Sequence, residues 1–404
     1  MNLGILAVLK YTNFAIANVN GIAALFTGRH SIARVNLVLP LGISFYTFQT
    51  MGYVIDVYRG KAEAEKNIFK MALFTSFFPQ LIQGPISRFG ELSQTLYAPH
   101  RFDFRTVWFG LERVLWGYFK KLVIADRIVV AVNAIVGQPD IYSGFYVFCG
   151  MLFYAAELYA DFTGGIDITI GIAQMFGIQL AENFERPYFS KNIAEYWRRW
   201  HITMGTWFKD YLFYPLSASM PVLSMSTFCR KHFGAAAGRR IPVYFVTLVV
   251  WFATGIWHGA SWNFVLWGVY FGIIIIIEKL FLGKYLEKAP AFLSHLYAIF
   301  LFTFGWVLFD FTDMGQMRDF IVSLFNGGSV GLISHDALVY VLAYLPVLII
   351  SIIASTPLVS NLHKKIENRA WCGYADAALV LIALVICTAS LVSSGYNPFI
   401  YFRF

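Results

Sequence analysis

Long apolar runs separated by short basic segments make up most of the chain. Several runs reach the ~20 residues that a helix needs to cross a bilayer, and they lack the alternation of barrel strands. Lipid offers no partners for backbone polar groups, so spanning segments of this kind must be helical. We therefore predict an all-α polytopic membrane protein with roughly nine to eleven crossings. The apolar segments are 3–26, 35–58, 68–86, 142–180, 241–256, 264–277, 293–311, 336–356 and 374–394.

The basic residues lie mainly in short loops between these runs, as the positive-inside rule predicts for cytoplasmic loops. Segments 228–240, 278–288 and 364–369 then lie inside, and the turn at His258 lies toward the outer half of the membrane. The chain is 58% hydrophobic and 13% charged, against about 25% charged for soluble domains. This composition excludes a large soluble protein. The net charge of +8 belongs to the loops and does not indicate a nucleic-acid partner.

Two segments depart from simple crossings. Residues 106–136 mix apolar and charged positions, which predicts a basic amphipathic helix at the cytoplasmic interface. Residues 78–85 place two prolines and two glutamines at membrane depth. Irregular backbone is tolerated there only where it is buried in protein or lines a cavity, so this segment is predicted to be broken or re-entrant.

The stretch 183–215 is the most polar long segment of the chain. Asn192, followed three residues later by Glu195, predicts a helix N-terminus with a variant capping box, and Pro215 is predicted to end that helix. A 3–4 spacing places five side chains on one helix face. They are Trp197, Trp200, Met204, Trp207 and Tyr211.

Two histidines, His201 and His258, lie in tryptophan-rich polar islands of this apolar chain. A histidine kept neutral by desolvation can act as a general base at neutral pH. The structural alternative is a packing role for His201 and a helix–helix hydrogen bond for His258. The common hydrolase, nucleotide and zinc motifs are absent from the sequence.

Acids at membrane depth raise a second functional hypothesis. Asp161 and Asp167 belong either to a functional site or to ion pairs with Arg198 or Arg199 that only fix packing.

The four cysteines, Cys149, Cys229, Cys372 and Cys387, are scattered without a C-x-x-C pair. We interpret them as buried structural thiols and predict no metal site.

The sequence resembles the membrane-bound O-acyltransferase (MBOAT) family, and within it the branch of alginate O-acetylases and teichoic-acid D-alanyl transferases. The resemblance covers nearly the whole chain. It is carried by segments 40–49, 78–86, 159–164 and 183–188, by Tyr196-Trp-Arg-Arg-Trp-His201 with 208–212, by Gly255-Ile-Trp-His258-Gly-Ala-Ser-Trp262, and by the tail 395–404.

The resemblance implies a single transmembrane domain over residues 1–404, built as a helix bundle around a central funnel. It also implies that longer relatives have further hydrophobic helices before the segment that matches 8–14. His258 takes the place of the family's catalytic histidine in its Trp-His-Gly motif, and His201 that of the second polar residue. Candidate substrate-binding residues are Trp197, Arg198, Arg199, Trp200, Trp257, Asn263, Asp161 and Gln83.

These roles predict transfer of an acetyl group from cytoplasmic acetyl-CoA to a hydroxyl acceptor, for the acetylation of an exported cell-surface polysaccharide. Arg198 and Arg199 would hold the phosphate end of the donor or anchor their helix at lipid headgroups, and the tryptophans, including Trp262, would shape the site. The alternatives are D-alanyl or other acyl transfer from an acyl carrier protein, and export of a polymer or acyl compound without catalysis. The expected partners are an extracytoplasmic acetyltransferase and membrane lipid; no bound cofactor is expected, and the expected location is the cell membrane.

Overall fold

The computed structural model describes residues 2–28, 32–137, 144–325, 335–366, 369, 371–393 and 397–399. Regular structure in this part of the chain is helical, and its β-type pairing is an isolated antiparallel bridge between Phe184 and Trp200. The prediction of an all-α fold is therefore confirmed.

The helices follow the predicted apolar runs closely. The first ten are α1 Asn2–Thr27, α2 Ile43–Tyr58, α3 Ile68–Ser76, α4 Phe89–Leu96, α5 Phe104–Phe119, α6 Asp126–Val136, α7 Phe145–Met175, α8 Ile193–Arg199, α9 Ile202–Phe208 and α10 Tyr214–Ser217. The others are α11 Met220–Phe233, α12 Ala235–His258, α13 Trp262–Ile277, α14 Gly283–Lys288, α15 Ala291–Asp310, α16 Met314–Phe325, α17 His335–Ser355, α18 Leu358–Ile366 and α19 Cys372–Ser393.

Five helical stretches within the described residues are long and apolar enough to cross a membrane. The protein is thus an all-α membrane protein, while the larger number of crossings stays a prediction. The five stretches are Ala235–His258, Trp262–Lys288, Ala291–Asp310, Leu338–Ser355 and Cys372–Ser393.

The chain forms two compact units. The first comprises Met1–Pro99 and Thr203–Ile276. The asparagines that interrupt the apolar pattern of α1 have a structural use in this unit. The side chain of Asn13 donates to the carbonyl of Val35 and accepts from its amide, and Asn20 does the same for Ile32. Each amide side chain thus satisfies the backbone of an extended segment that follows α1.

The second unit comprises His100–Ile202 and Ile277–Phe404. Its longest helix, α7, lies directly against α5. A Cβ atom added to Gly117 would lie 2.6 Å from the carbonyl oxygen of Gly164, and one added to Gly164 would lie 2.8 Å from that of Gly117. Only glycines allow the two backbones to approach this closely, so α5 and α7 form a fixed pair.

The amphipathic segment 106–136 is not one regular helix. Its middle, Lys120–Ala125, is a π-helix between α5 and α6, and both Lys120 and Lys121 are buried. A π-helical turn changes the angular spacing of side chains, and here two consecutive lysines are buried together. The segment was predicted to be a basic amphipathic helix at the interface, and burial of these two lysines departs from that pattern.

The helix predicted to run from Asn192 to Pro215 is interrupted. Its start is confirmed, because the side chain of Asn192 accepts a hydrogen bond of 2.7 Å from the amide of Glu195. However, α8 stops at Arg199, and α9 begins only at Ile202. Pro215 does not end the helix; it lies in the first turn of α10, where proline is well tolerated.

Candidate functional site

His258 is the last residue of α12, and three residues separate it from the start of α13. This confirms the predicted position at a turn between two apolar helices. The close approach of the two helices rests on glycine. A Cβ atom on Gly255 would lie 2.3 Å from the carbonyl oxygen of Phe264, and one on Gly268 would lie 2.3 Å from that of Trp251. The glycine before His258 therefore serves helix packing.

The imidazole ring of His258 lies between two tryptophan rings. The ring centroids of Trp257 and Trp267 are 5.0 Å and 4.9 Å away, and both contacts are edge-to-face. Trp267 is fully buried, whereas His258 is only partly buried. The two tryptophan rings fix the orientation of the imidazole, and its Nε2 atom is buried.

The end of α12 is capped by a residue from α1. The ammonium group of Lys10 donates hydrogen bonds of 2.7 Å to the carbonyl of Trp257 and 3.0 Å to that of His258. The hydroxyl of Tyr11 donates to the carbonyl of Ile256. The last carbonyls of a helix have no partners within it, and a cation there also complements the helix dipole. Lys10 was not among the predicted site residues, although a lone cation in an apolar helix is itself a signal.

A buried aromatic wall continues from Trp257 in the first unit. The Trp257 ring packs against the rings of Phe45 and Phe48, at centroid distances of 5.8 Å and 5.3 Å. Phe48 stacks on Trp207 at 3.8 Å, and the indole nitrogen of Trp207 donates to the Phe48 carbonyl. Trp257, which is predicted to bind substrate, thus also has a structural role in packing.

The predicted broken segment is confirmed. A short 3₁₀ turn, Phe78–Gln80, is followed by irregular backbone in which Gln83 is buried. The amide of Ile86 donates to the hydroxyl of Thr203, and the Ser87 hydroxyl donates to Oε1 of Gln80. Asn263, in the first turn of α13, is fully buried. The structure therefore places Gln83 and Asn263 in the same unit as His258.

A groove lies beside the His258 turn. We call it the α1 groove; its volume is about 670 Å³. Trp262 closes part of it, and the Trp262 indole donates to Oδ1 of Asn18. Its lining includes Lys10, Asn13, Asn18, Arg34, Ser261 and Trp262.

His201 lies in the second unit and has an unusual backbone conformation, with φ at +47°. Pairing of two chain segments holds it there: the amide of Glu185 donates to the carbonyl of Arg199, and the amide of Ile202 donates to that of Asn183. This pairing explains the interruption between α8 and α9. A tertiary contact has replaced the helical hydrogen bonds that the sequence pattern favours.

The His201 side chain is 1% exposed, with Nδ1 3.2 Å from Oδ1 of Asn183 and the ring edge-to-face with Phe162. Burial lowers the pKa of His201 to about 3, because the charged form loses its solvation. His201 lies outside the five candidate spans. The imidazole is therefore neutral at physiological pH, as a hydrogen-bonding residue requires.

Trp197 and Trp200 belong to a stacked aromatic cluster in the second unit. The Trp200 ring is parallel to that of Tyr188 and lies 4.9 Å from that of Trp306. Trp197 contacts Trp306 edge-on. This packing favours a structural role for Trp200, which is almost fully buried.

The two arginines next to these tryptophans differ. Arg199 forms a 2.8 Å ion pair with Glu195, one turn earlier on α8, while the Arg198 side chain is exposed. An exposed arginine next to tryptophans suits both a phosphate contact and an anchor at lipid headgroups.

Asp161 forms a buried ion pair and Asp167 forms partly buried ones, but with other partners than those expected. Asp161 pairs with Lys121 at 2.5 Å, and Lys121 also pairs with Asp126. Asp167 pairs with Arg113 and Lys120. The expectation that the acids pair with Arg198 or Arg199 is wrong, because the π-helical segment turns its two lysines toward α7. A packing role for Asp161 is thereby favoured over substrate binding.

Comparison with known proteins agrees with this architecture. The model of the MBOAT, membrane-bound O-acyltransferase family, matches residues 64–312. The chain is 30% identical over 436 residues to a probable alginate O-acetylase of Azotobacter vinelandii, covering 100% of this chain and 83% of the relative. It is 27% identical over 450 residues to a peptidoglycan O-acetyltransferase of Helicobacter pylori, covering 100% and 81%. It is 25% identical over 286 residues to a teichoic acid D-alanyltransferase of Bacillus subtilis, covering 68% of each.

Proposed function

Because this chain belongs to the membrane-bound O-acyltransferase family, we propose that it is an O-acetyltransferase that takes part in acetylating an exported cell-surface polysaccharide. The names of the two O-acetylating relatives support an acetyl group and a polysaccharide acceptor. The observation that carries the proposal is the imidazole of His258, which two tryptophan rings orient at the capped end of α12. Membership in an acyltransferase family favours catalysis over simple export.

In the proposed reaction, His258 acts as general base toward the acceptor hydroxyl. An imidazole nitrogen takes the hydroxyl proton while the hydroxyl oxygen attacks the thioester carbonyl. The C–S bond then breaks, and the departing thiolate takes up a proton from the imidazolium, which leaves acetylated acceptor and free thiol. A neutral imidazole is the form that this role requires.

We propose acetyl-CoA, entering from the cytoplasm, as the acyl donor. The exposed guanidinium of Arg198 suits an anionic phosphate of such a donor, whereas Arg199 is engaged with Glu195. Neutral His201 would orient donor or acceptor by hydrogen bonding. The relative that transfers D-alanine supports a second candidate, in which an acyl carrier protein delivers the acyl group.

We further propose that the acceptor approaches His258 through the α1 groove. The groove adjoins the turn that contains His258, and the charge pattern predicts that this turn faces the outer half of the membrane. Amide and hydroxyl side chains along its lining suit an acceptor that carries a hydroxyl group.

The remaining features of the proposal concern the cellular setting. The chain would reside in the cell membrane with about nine to eleven crossings around a central funnel. An acetyl group delivered to the outer side requires a separate extracytoplasmic acetyltransferase that places it on the polymer. That enzyme is the partner we propose.

The proposal is tested with His258→Ala in the native host, by measuring the acetyl content of the exported polysaccharide. We expect acetylation to be lost at unchanged protein level. His232→Ala is the matched control, because His232 is exposed on α11 and should leave acetylation intact. Normal acetylation by the His258 variant would refute the assignment.

A second experiment separates the donors. Membranes that contain the protein are incubated with radiolabelled acetyl-CoA, or with a radiolabelled acyl carrier protein. Label transfer from acetyl-CoA that depends on His258 supports the proposal. Transfer from the carrier protein alone would show that the carrier protein, and not acetyl-CoA, is the donor.

A further inference from the structure

Three side chains with metal-binding atoms converge where α18 ends and α19 begins. Nε2 of His363 lies 3.0 Å from Oδ2 of Asp376, and Sγ of Cys372 lies 3.8 Å from each of these two atoms. His363 comes from α18, whereas Cys372 and Asp376 lie one turn apart on α19. The cluster therefore bridges two helices of the second unit.

These separations fit a tetrahedral zinc ion. Zinc bonds of about 2.0–2.2 Å to nitrogen and oxygen and about 2.3 Å to sulfur place the ligand atoms roughly 3.3–3.6 Å apart. The separations of 3.0 Å and 3.8 Å lie on either side of that range. Shifts of a few tenths of an ångström would thus bring all three atoms to bonding distance.

The donor set also matches the chemistry of zinc. Imidazole, thiolate and carboxylate are the three protein ligands that zinc accepts, whereas magnesium and calcium favour oxygen alone. We propose that His363, Cys372 and Asp376 bind one Zn²⁺ ion, with water as the fourth ligand.

Burial and charge favour this assignment. Cys372 is buried, while the side chains of His363 and Asp376 are 46% and 40% exposed, which lets the ion and its water enter from solvent. The thiolate and the carboxylate together balance the charge of the ion. Cys372 is the first residue of α19, and a helix N-terminus favours the thiolate form that zinc requires.

The compartment is consistent with the site as well. Basic residues Lys364 and Lys365 directly follow His363 on α18. They predict that the connection between α17 and α19 lies on the cytoplasmic side. Thiols stay reduced there, so a buried cysteine beside histidine and aspartate is better suited to a metal than to a disulfide. Zinc would then tie α18 to the first turn of α19.

The test measures zinc directly. The purified full-length protein, carrying an affinity tag without histidine, is treated with a chelator, loaded with one equivalent of Zn²⁺, desalted and analysed by mass spectrometry. We expect about one zinc per chain for the wild type, and far less than one for Cys372→Ser and His363→Ala, because each variant removes a direct ligand. Cys387→Ser is the matched control, because Cys387 is also buried on α19 but lies outside the cluster.

Cobalt provides a second readout. Co²⁺ bound through a thiolate absorbs in the near ultraviolet by charge transfer, and this band should be absent in Cys372→Ser and present in Cys387→Ser. Size-exclusion profiles and helical circular dichroism verify that each variant is folded. Wild-type protein that retains no more zinc than Cys372→Ser would overturn the proposal and leave a plain His363–Asp376 ion pair.

Discussion

Lys10 on α1 donates a hydrogen bond to the backbone carbonyl of His258, at 3.0 Å, across a sequence separation of 248 residues. The same ammonium group also donates a hydrogen bond to the carbonyl of Trp257. The candidate catalytic histidine is therefore positioned through its backbone by a residue that was not among the predicted site residues. Hydrogen bonds to a charged group contribute about 1.5–3 kcal/mol, so this contact is a substantial constraint on the end of α12.

The first prediction concerns this contact. Lys10→Met keeps the length of the side chain and removes the ammonium group, which leaves the last carbonyls of α12 without this donor. We expect the rate of acetyl transfer to fall roughly tenfold, because the His258 ring loses its fixed position. The rate is measured with radiolabelled acetyl-CoA in membranes. Lys61→Met, which alters an exposed lysine of the same unit, should leave the rate unchanged; equal rates for both variants would contradict a positioning role.

The second prediction concerns the helix crossing at Gly255. A methyl group there would lie 2.3 Å from the Phe264 carbonyl oxygen, so Gly255→Ala must push α13 away from α12. Overpacking of this kind costs about 1–3 kcal/mol. We expect a lower Tm in detergent and reduced transfer. Gly90→Ala serves as control, since nothing lies within 4 Å of a Cβ atom at that position. A Gly255 variant with wild-type Tm would show that the helices are not held so closely.

The third prediction concerns His201 and pH. Its pKa is about 3 in the folded protein and 6.5 in the reference state, so between these values the unfolded chain binds a proton that the folded protein does not. Stability contributed by neutral His201 is therefore lost as pH falls below about 6.5. His201→Asn removes the titration, and asparagine tolerates the left-handed backbone.

The measurement is the change in Tm between neutral pH and about pH 5 in detergent. We expect a smaller decrease for His201→Asn than for the wild type. His232→Asn, at an exposed position, should retain the wild-type decrease. An identical decrease in all three proteins would mean that His201 is not buried in its neutral form.

The fourth prediction concerns the buried ion cluster at Asp161. Lys121→Met leaves the carboxylate of Asp161 buried without its 2.5 Å partner, and breaking such a pair costs about 3–5 kcal/mol. We expect a marked loss of Tm and of folded protein. Adding Asp161→Asn should restore part of the loss, because the uncompensated charge is then removed.

Lys191→Met is the control for this experiment, because Lys191 is exposed in the same unit. A double variant no more stable than Lys121→Met would argue against the electrostatic explanation.

The fifth prediction tests the α1 groove as the acceptor route. Ala17 lines the groove, and Ala15 on the same helix does not; both are exposed. A bulky side chain in the groove blocks the acceptor without disturbing the core. We therefore expect Ala17→Trp to reduce polysaccharide acetylation severalfold with unchanged Tm, and Ala15→Trp to preserve it. Equal acetylation in the two variants would exclude the groove as the route.

The sequence by itself determined the helical class and many of the helix positions. The apolar runs predicted at 293–311 and 374–394 correspond to Ala291–Asp310 and Cys372–Ser393. The cap at Asn192, the broken segment at 78–85 and the turn at His258 were also predictable. Each depends on local properties, namely hydrophobicity over ~20 residues or the chemistry of a cap, proline or glycine.

Only the tertiary structure decided which residues meet. Pairing of residues 183–185 with 199–202 interrupts the helix at His201, although the local pattern favours its continuation. The π-helical turn gives Asp161 and Asp167 lysine partners, and α1 brings Lys10 to His258. The cluster of His363, Cys372 and Asp376 likewise has no spacing typical of a metal motif. Contacts between segments distant in the chain depend on how helices pack, and no local pattern encodes them.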